Sequence, residues 1–127
     1  MKTIEVAIAL VWREGLLLVT RRPTEVHLGG LWEFPGGKLR TEESPEACAE
    51  REVLEEVGLV VSARARRASI EHTYPERRVL LYPVDCDYHS GDIELREVTD
   101  ARWVAPKELA TLEFPEANRG LIAELSR

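Results

Sequence analysis

The apolar positions of this chain fall into short β-rich runs separated by polar turns, with helical spacing in the middle and at the end. Thr3–Trp12 (TIEVAIALVW) is an almost unbroken apolar run, the pattern of a strand buried on both faces. Arg13-Glu14-Gly15 marks a turn, and Leu16–Thr20 is a second strand ended by Arg21-Arg22-Pro23. Thr24–Leu31 reads as a Gly-containing loop suited to closing over a ligand. A short strand is predicted at Leu59–Ser62, followed by an irregular stretch whose Arg64, Arg66 and Arg67 form a solvated cationic patch. Ala68–Tyr74 and Arg78–Tyr88 read as long strands joined around Pro75-Glu76, His89–Thr99 as an acidic loop, and Ala101–Val104 as a short strand. Pro106–Ala110 starts like a helix, and Glu116–Leu125 is predicted as an amphipathic helix with Leu121, Ile122 and Leu125 inward. No repeat, linker or low-complexity tract divides the chain, so a single domain over residues 1–127 is expected.

The central helix carries the chemistry. Ser44 is a natural N-cap, Pro45 suits the first helical position, and Gly58 suits a left-handed stop, which predicts a helix over Pro45–Val57. At about 100° per residue, Ala47, Val53, Leu54 and Val57 form an inward stripe, and Glu50 lies at its rim. Glu55, Glu52 and Glu56 crowd into an opposing arc roughly 100° wide. The i,i+4 pair Glu52 and Glu56 costs an isolated helix a few tenths of a kcal/mol. A hard divalent cation removes that repulsion, and Mg²⁺ prefers carboxylate oxygens together with substrate phosphates. Arg51, four residues before Glu55, is placed to hold a carboxylate as an ion pair.

Composition narrows the partners. A formal charge of −6 argues against a general grip on nucleic acid polymers, whereas a small polyanionic substrate is compatible with locally gathered cations and a metal. Cys48 and Cys86 make no metal or disulfide spacing and read as free thiols of a reducing cytoplasm, Cys48 as a small filler. Glu5 interrupts the N-terminal apolar run and Val6–Trp12 is too short to span a bilayer, so neither a signal peptide nor a membrane segment is expected.

The spacing Gly37, five residues, Glu43, seven residues, Arg51-Glu52-Val53, one residue, Glu55-Glu56, one residue, Gly58-Leu59 resembles the Nudix box at every defining position. The likeness extends to TRRP, His27, LWEFPGGK, the Tyr74–Arg77 turn, Glu97 ahead of Trp103, and FPEAN. The resemblance implies an α/β/α sandwich, a mixed sheet flanked by helices, and Mg²⁺- or Mn²⁺-dependent hydrolysis of a nucleoside diphosphate linked to another group. Carried over by position, it implies metal ligation by Glu52, Glu55, Glu56, Glu97 and the Gly36 carbonyl. Arg51 would orient a motif glutamate, Glu43 would support the loop–helix junction, and Lys38 and Arg77 would neutralise a triphosphate. Arg22, Phe34 and Asn118 would read the base, an amide offering a donor and an acceptor together. His27 joins the substrate-binding set from the closing loop, although a loop histidine is ordinarily solvated.

The implied reaction releases nucleoside monophosphate and pyrophosphate, with metal ions spreading the developing charge and a carboxylate, Glu52 first and Glu97 second, taking a proton from water. The segments outside the box point to 8-oxo-dGTP. Trp32 and the Gly29-Gly30 pair depart from that pattern, and GLWEFPGGK also occurs in members acting on pyrimidine triphosphates and in the base-reading domain of adenine glycosylases, which leaves CTP or another modified nucleotide as the alternative. A non-catalytic binding module is the remaining option, against which the intact Arg51, Glu52, Glu55 and Glu56 argue.

Overall fold

The computed structural model describes residues 1–26 and 28–127. Its organising element is β1 (Lys2–Arg13), where Ala7 to Val11 are all buried. Alternation along the strand sends Ala7, Ala9 and Val11 to one core and Ile8 and Leu10 to another on the opposite face. β1 can be apolar on both sides because helices cover both. It pairs in parallel with β7 (Arg77–Ser90) from Lys2 opposite Arg77 to Trp12 opposite Asp87.

Glu14 (φ 51°) and Gly15 (φ 79°) form a tight turn into β2 (Leu16–Arg21), which returns antiparallel to the end of β1. β3 (Trp32–Glu33) extends the sheet beyond β2, and β4 (Gly36–Lys38) pairs with β1 at Val6–Ile8. The sheet therefore forks along β1, with β4 beside its first half and β2 beside its end. β5 (Val60–Arg66), β6 (Ile70–Thr73) and β8 (Asp100–Val104) complete the sheet, in the order β3-β2-β1-β7-β5 with β6 on β7 and β8 on β2. All pairs but β1–β7 are antiparallel, so the sheet is mixed, as expected.

α1 (Pro45–Val57) has the predicted bounds. The Ser44 hydroxyl accepts from the Ala47 N–H, and Gly58 ends the helix at φ 73° with its N–H on the Leu54 carbonyl. Its Cys48, Ala49, Val53 and Val57 pack on Ala7, Ala9 and Val11, small side chains that let the helix lie close to the sheet. Ala47 and Leu54, assigned inward by periodicity, are instead exposed, Leu54 at 45%. The opposite face is covered by α2 (Arg119–Leu125) and two 3₁₀ turns, Pro106–Thr111 and Glu116–Asn118. Leu109, Leu121 and Leu125 meet Ile8, Leu10, Leu17 and Val19 there. The result is a central sheet between helical layers.

Several bounds shift from the sequence expectation. The strand expected at Leu59–Ser62 runs to Arg66. Arg64 and Arg66 are exposed, as a solvated stretch should be, but the three arginines are neutralised rather than free: Arg64, Arg66 and Arg67 pair with Asp87, Glu46, and Asp85 plus Glu124, respectively. Register on β7 carries the strand on past the short apolar run. The helix expected from Glu116 begins at Arg119, because the Asn118 N–H closes a 3₁₀ turn on the Pro115 carbonyl. Pro106–Thr111 is likewise 3₁₀, closed by Glu108 accepting from the Ala105 N–H. No described helix is long and apolar enough to cross a membrane.

Leu18 is fully buried in the core beneath α1. Leu18→Ala is expected to lower unfolding stability by about 2–5 kcal/mol, read as a drop in the urea midpoint at unchanged slope.

Candidate active site

The motif acids lie where α1, β4 and the loop before β8 converge. Oxygens of Glu52, Glu55 and Glu97 lie within 4.8 Å of one another. That spacing and an all-oxygen donor set fit a hard divalent cation. Gly37 belongs to the same fit: a Cβ there would come within 2.5 Å of a Glu52 carboxylate oxygen and would push that carboxylate from its place. Glu97 reaches the cluster because its N–H and that of Arg96 bind the Glu56 carbonyl, while the Glu94 N–H binds the Val57 carbonyl.

Arg51 holds the helix side of this arrangement. Its Nε and Nη2 donate to Glu43 at 2.7 and 2.9 Å, and Nη1 donates to Glu52 at 2.9 Å and to Glu55 at 3.2 Å. Nη2 also reaches the Lys38 carbonyl at 3.3 Å. The i,i+4 pairing with Glu55 expected from spacing is thus one contact of a wider fork. Glu43 accepts besides from the Arg40 N–H, and Arg40 reaches Glu55 at 3.3 Å. The Arg51 hydrogen bonds, chiefly, pull the Glu43 carboxyl from its ordinary 4.5 down to about 2. Burial chiefly pushes the Cys48 thiol up to about 11, so it is an un-ionised filler, its Sγ donating to the Gly37 carbonyl.

Glu56 differs from its neighbours on the acid arc. It is buried at 7% exposure, and one carboxylate oxygen accepts from the Gly36 N–H at 3.1 Å. Burial, with the charges of Glu33 and Glu52 adding, pushes it up to about 9 against that hydrogen bond. It stands outside the close trio, yet it lines one cleft with Glu52, Glu97, Glu33, Gly36 and Arg22.

A second cavity, of about 270 Å³, adjoins this cleft and shares Arg22, Glu33 and Gly36 with it. It gathers Arg22, Phe34, Lys38 and Asn118 from the sequence-derived set. Phe34 is buried and packs on Phe114 with ring centroids 5.2 Å apart. Asn118 sits at the start of α2 and is 8% exposed, but its side chain makes no capping bond. Arg22 donates to Glu33 at 3.1 Å, and its Nε is buried without a partner among the described residues. Arg77 does not line the cavity; its guanidinium lies 5.1 Å from the ring of Tyr74, which does. His27 lies outside the described residues. A larger cleft of about 480 Å³ between Leu28, Leu31 and residues 109–122 contains none of the candidate site residues, so volume does not locate the chemistry.

Sequence reasoning missed Glu33. It lies between buried Trp32 and Phe34, lines both the cleft and the cavity, and is raised by burial despite Arg22. The available signal was a lone acid in an apolar Trp-Glu-Phe alternation, whose middle residue must face the other way.

An acidic oxygen cluster on a helix, joined by a loop glutamate and adjoining a cavity lined by cationic and aromatic side chains, fits the class of metal-assisted hydrolases of phosphate esters or anhydrides. The comparisons give the family: the NUDIX domain matches residues 6–124, so the chain belongs to the Nudix family and is a Nudix hydrolase acting on nucleotide phosphoanhydrides. It is 30% identical to the 8-oxo-dGTP diphosphatase of Escherichia coli (strain K12) over 128 residues, covering 100% of this chain and 99% of that one. It is 32% identical to the CTP pyrophosphohydrolase of the same organism over 117 residues, covering 92% and 85%. The crystal structure of the MutT protein from Methanosarcina mazei Go1 superposes with a TM-score of 0.86 at 27% identity, covering 99% and 94%.

The depressed Glu43 titration predicts an acid-sensitive junction. With its carboxyl at about 2 when folded and near 4.5 when unfolded, the unfolded chain binds more protons between those values. The contribution of Glu43 is present above pH 4.5 and lost as pH falls towards 2. Thermal melts across this window should show a shallower acid decline for Glu43→Gln than for wild type.

Proposed function

We propose that this protein hydrolyses nucleoside triphosphates to nucleoside monophosphate and pyrophosphate, with 8-oxo-dGTP as its substrate and clearance of oxidised nucleotides from the cytoplasmic precursor pool as its role. The observation that carries this reading is the adjacency of the Glu52, Glu55 and Glu97 oxygens to a cavity walled by Phe34 and by an Asn118 amide with no capping role. A bound Mg²⁺ or Mn²⁺ supplies charge neutralisation on the phosphates and lowers the cost of ionising water.

The chain's own groups do the rest. Glu52, Glu55 and Glu97 would hold the cation, and Glu56 and the Gly36 carbonyl would add to that oxygen set. Arg51 keeps Glu52 and Glu55 turned towards it. Lys38 on the cavity wall and Arg77 beside Tyr74 offset phosphate charge, and His27 joins the substrate-binding set. Glu52 accepts the proton of the attacking water, its carboxylate held by Arg51 rather than free to rotate. Water attacks the β-phosphorus, so labelled oxygen from H₂¹⁸O is expected in pyrophosphate; label in the monophosphate would refute that site of attack. Arg22, Phe34 and Asn118 read the base, the amide pairing a donor with an acceptor.

The similarity to a CTP pyrophosphohydrolase supports a second reading, in which the same reaction acts on a pyrimidine nucleotide. A pyrophosphate-release screen with Mg²⁺ over normal and oxidised nucleoside triphosphates separates the two. The expected result is a higher kcat/KM for 8-oxo-dGTP than for dGTP or CTP; equal turnover of 8-oxo-dGTP and dGTP would remove the sanitising role.

Glu52→Gln is expected to lower kcat by about 10²–10⁴-fold, with the far-ultraviolet spectrum unchanged. Chelation with EDTA should abolish turnover, and restored Mg²⁺ should recover it. Asn118→Ala is expected to reduce discrimination between 8-oxo-dGTP and dGTP while retaining pyrophosphate release, measured as the ratio of the two kcat/KM values.

A further inference from the structure

The last turn of α1 contains no basic residue, yet its terminal carbonyls are covered from outside the helix. The Leu54 carbonyl accepts from Gly58 N–H and from Arg96 Nη1 at 3.1 Å. The Glu56 carbonyl accepts from the N–H groups of Arg96 and Glu97 at 3.1 and 3.3 Å, and the Val57 carbonyl from that of Glu94 at 2.9 Å. Arg96 is itself gripped by Glu94, with Nε at 2.7 Å and Nη2 at 2.6 Å from one carboxylate oxygen. A guanidinium at this end also meets the partial negative charge of the helix C-terminus. Gly58 makes room for this contact, since a Cβ there would lie 3.0 Å from Glu94 Oε2 and 3.2 Å from the Arg96 guanidinium carbon.

From this we infer that Arg96 is a positioning residue: it clamps the loop before β8 onto the end of α1 and so sets Glu97 against Glu52 and Glu55. The inference rests on the reading of Glu97 as a cation ligand. The Glu97 carboxylate comes from an exposed loop, whereas Glu52 and Glu55 come from a rigid helix. Without the clamp, Glu97 must lose loop freedom each time a cation binds, and affinity falls accordingly. Arg96 touches neither cation nor nucleotide in this account.

Mn²⁺ titration of the full chain, followed by the loss of the free-ion electron paramagnetic resonance signal, tests the clamp without reference to turnover. Arg96→Ala is expected to weaken Mn²⁺ by about tenfold, the low end of the range for residues that orient a ligand. Arg96→Lys should recover most of the loss, because an ammonium still donates to the Leu54 carbonyl, and this variant also serves if the alanine form unfolds. In a Glu97→Gln background, Arg96→Ala should weaken Mn²⁺ no further, since its route runs through that carboxylate. Wild-type affinity in Arg96→Ala, or the full loss repeated in the Glu97→Gln background, would overturn the clamp alone. Wild-type affinity in Glu97→Gln would instead overturn the ligand reading of Glu97, and the clamp would fall with it.

Discussion

The arrangement depends on one guanidinium shared among several acids. Two carboxylates about 4 Å apart near a protein surface repel by about 4 kcal/mol, more than a single hydrogen bond of the helix returns. Arg51 divides its donors among Glu43, Glu52 and Glu55, and so fixes the helix, the loop before it and two of the clustered acids together. A lysine could not do this, because the planar fork addresses several acceptors in fixed directions. Charge that would otherwise splay the side chains is gathered on one side of α1. What is left uncompensated points at the place a cation would occupy.

The sheet supplies the second constraint. Because β1 forks between β4 and β2, the Pro35 carbonyl accepts from the Ala9 N–H and the Gly36-Gly37 backbone lies beside β1, within reach of α1. Gly36 has no room for a side chain, since a Cβ would collide with the Ala7 carbonyl oxygen. The segment is therefore held by close backbone approach rather than by packing. Glu33 and Arg22 stand on the same rim and form the wall between cleft and cavity.

The helix and its caps were legible because every signal was local: Ser44, Pro45 and Gly58 mark its ends, and the glutamates follow from periodicity. The double burial of β1 was equally plain from its unbroken apolar run. Periodicity could not reveal that Glu56 turns inward to the Gly36 N–H while Glu52 and Glu55 stay with Glu97. That sorting depends on which strand lies over the helix. The pairing of Arg67 with Asp85 and Glu124 was hidden for the same reason, as its partners come from β7 and α2. Leu54 marks the limit of the helical wheel, which gives an angle but not what stands beside it.

Ile8 and Phe34 belong to the core on the α2 face, whereas Val53 and Val57 beneath the acids belong to the core on the α1 face. The cavity lined by Phe34 and the helix that carries the acids thus draw on opposite sides of one sheet and meet where it forks along β1. Repacking around Phe114 and Asn118 can reshape that cavity without displacing α1 and its acids. Such a scaffold is suited to redirecting one reaction among many nucleotides.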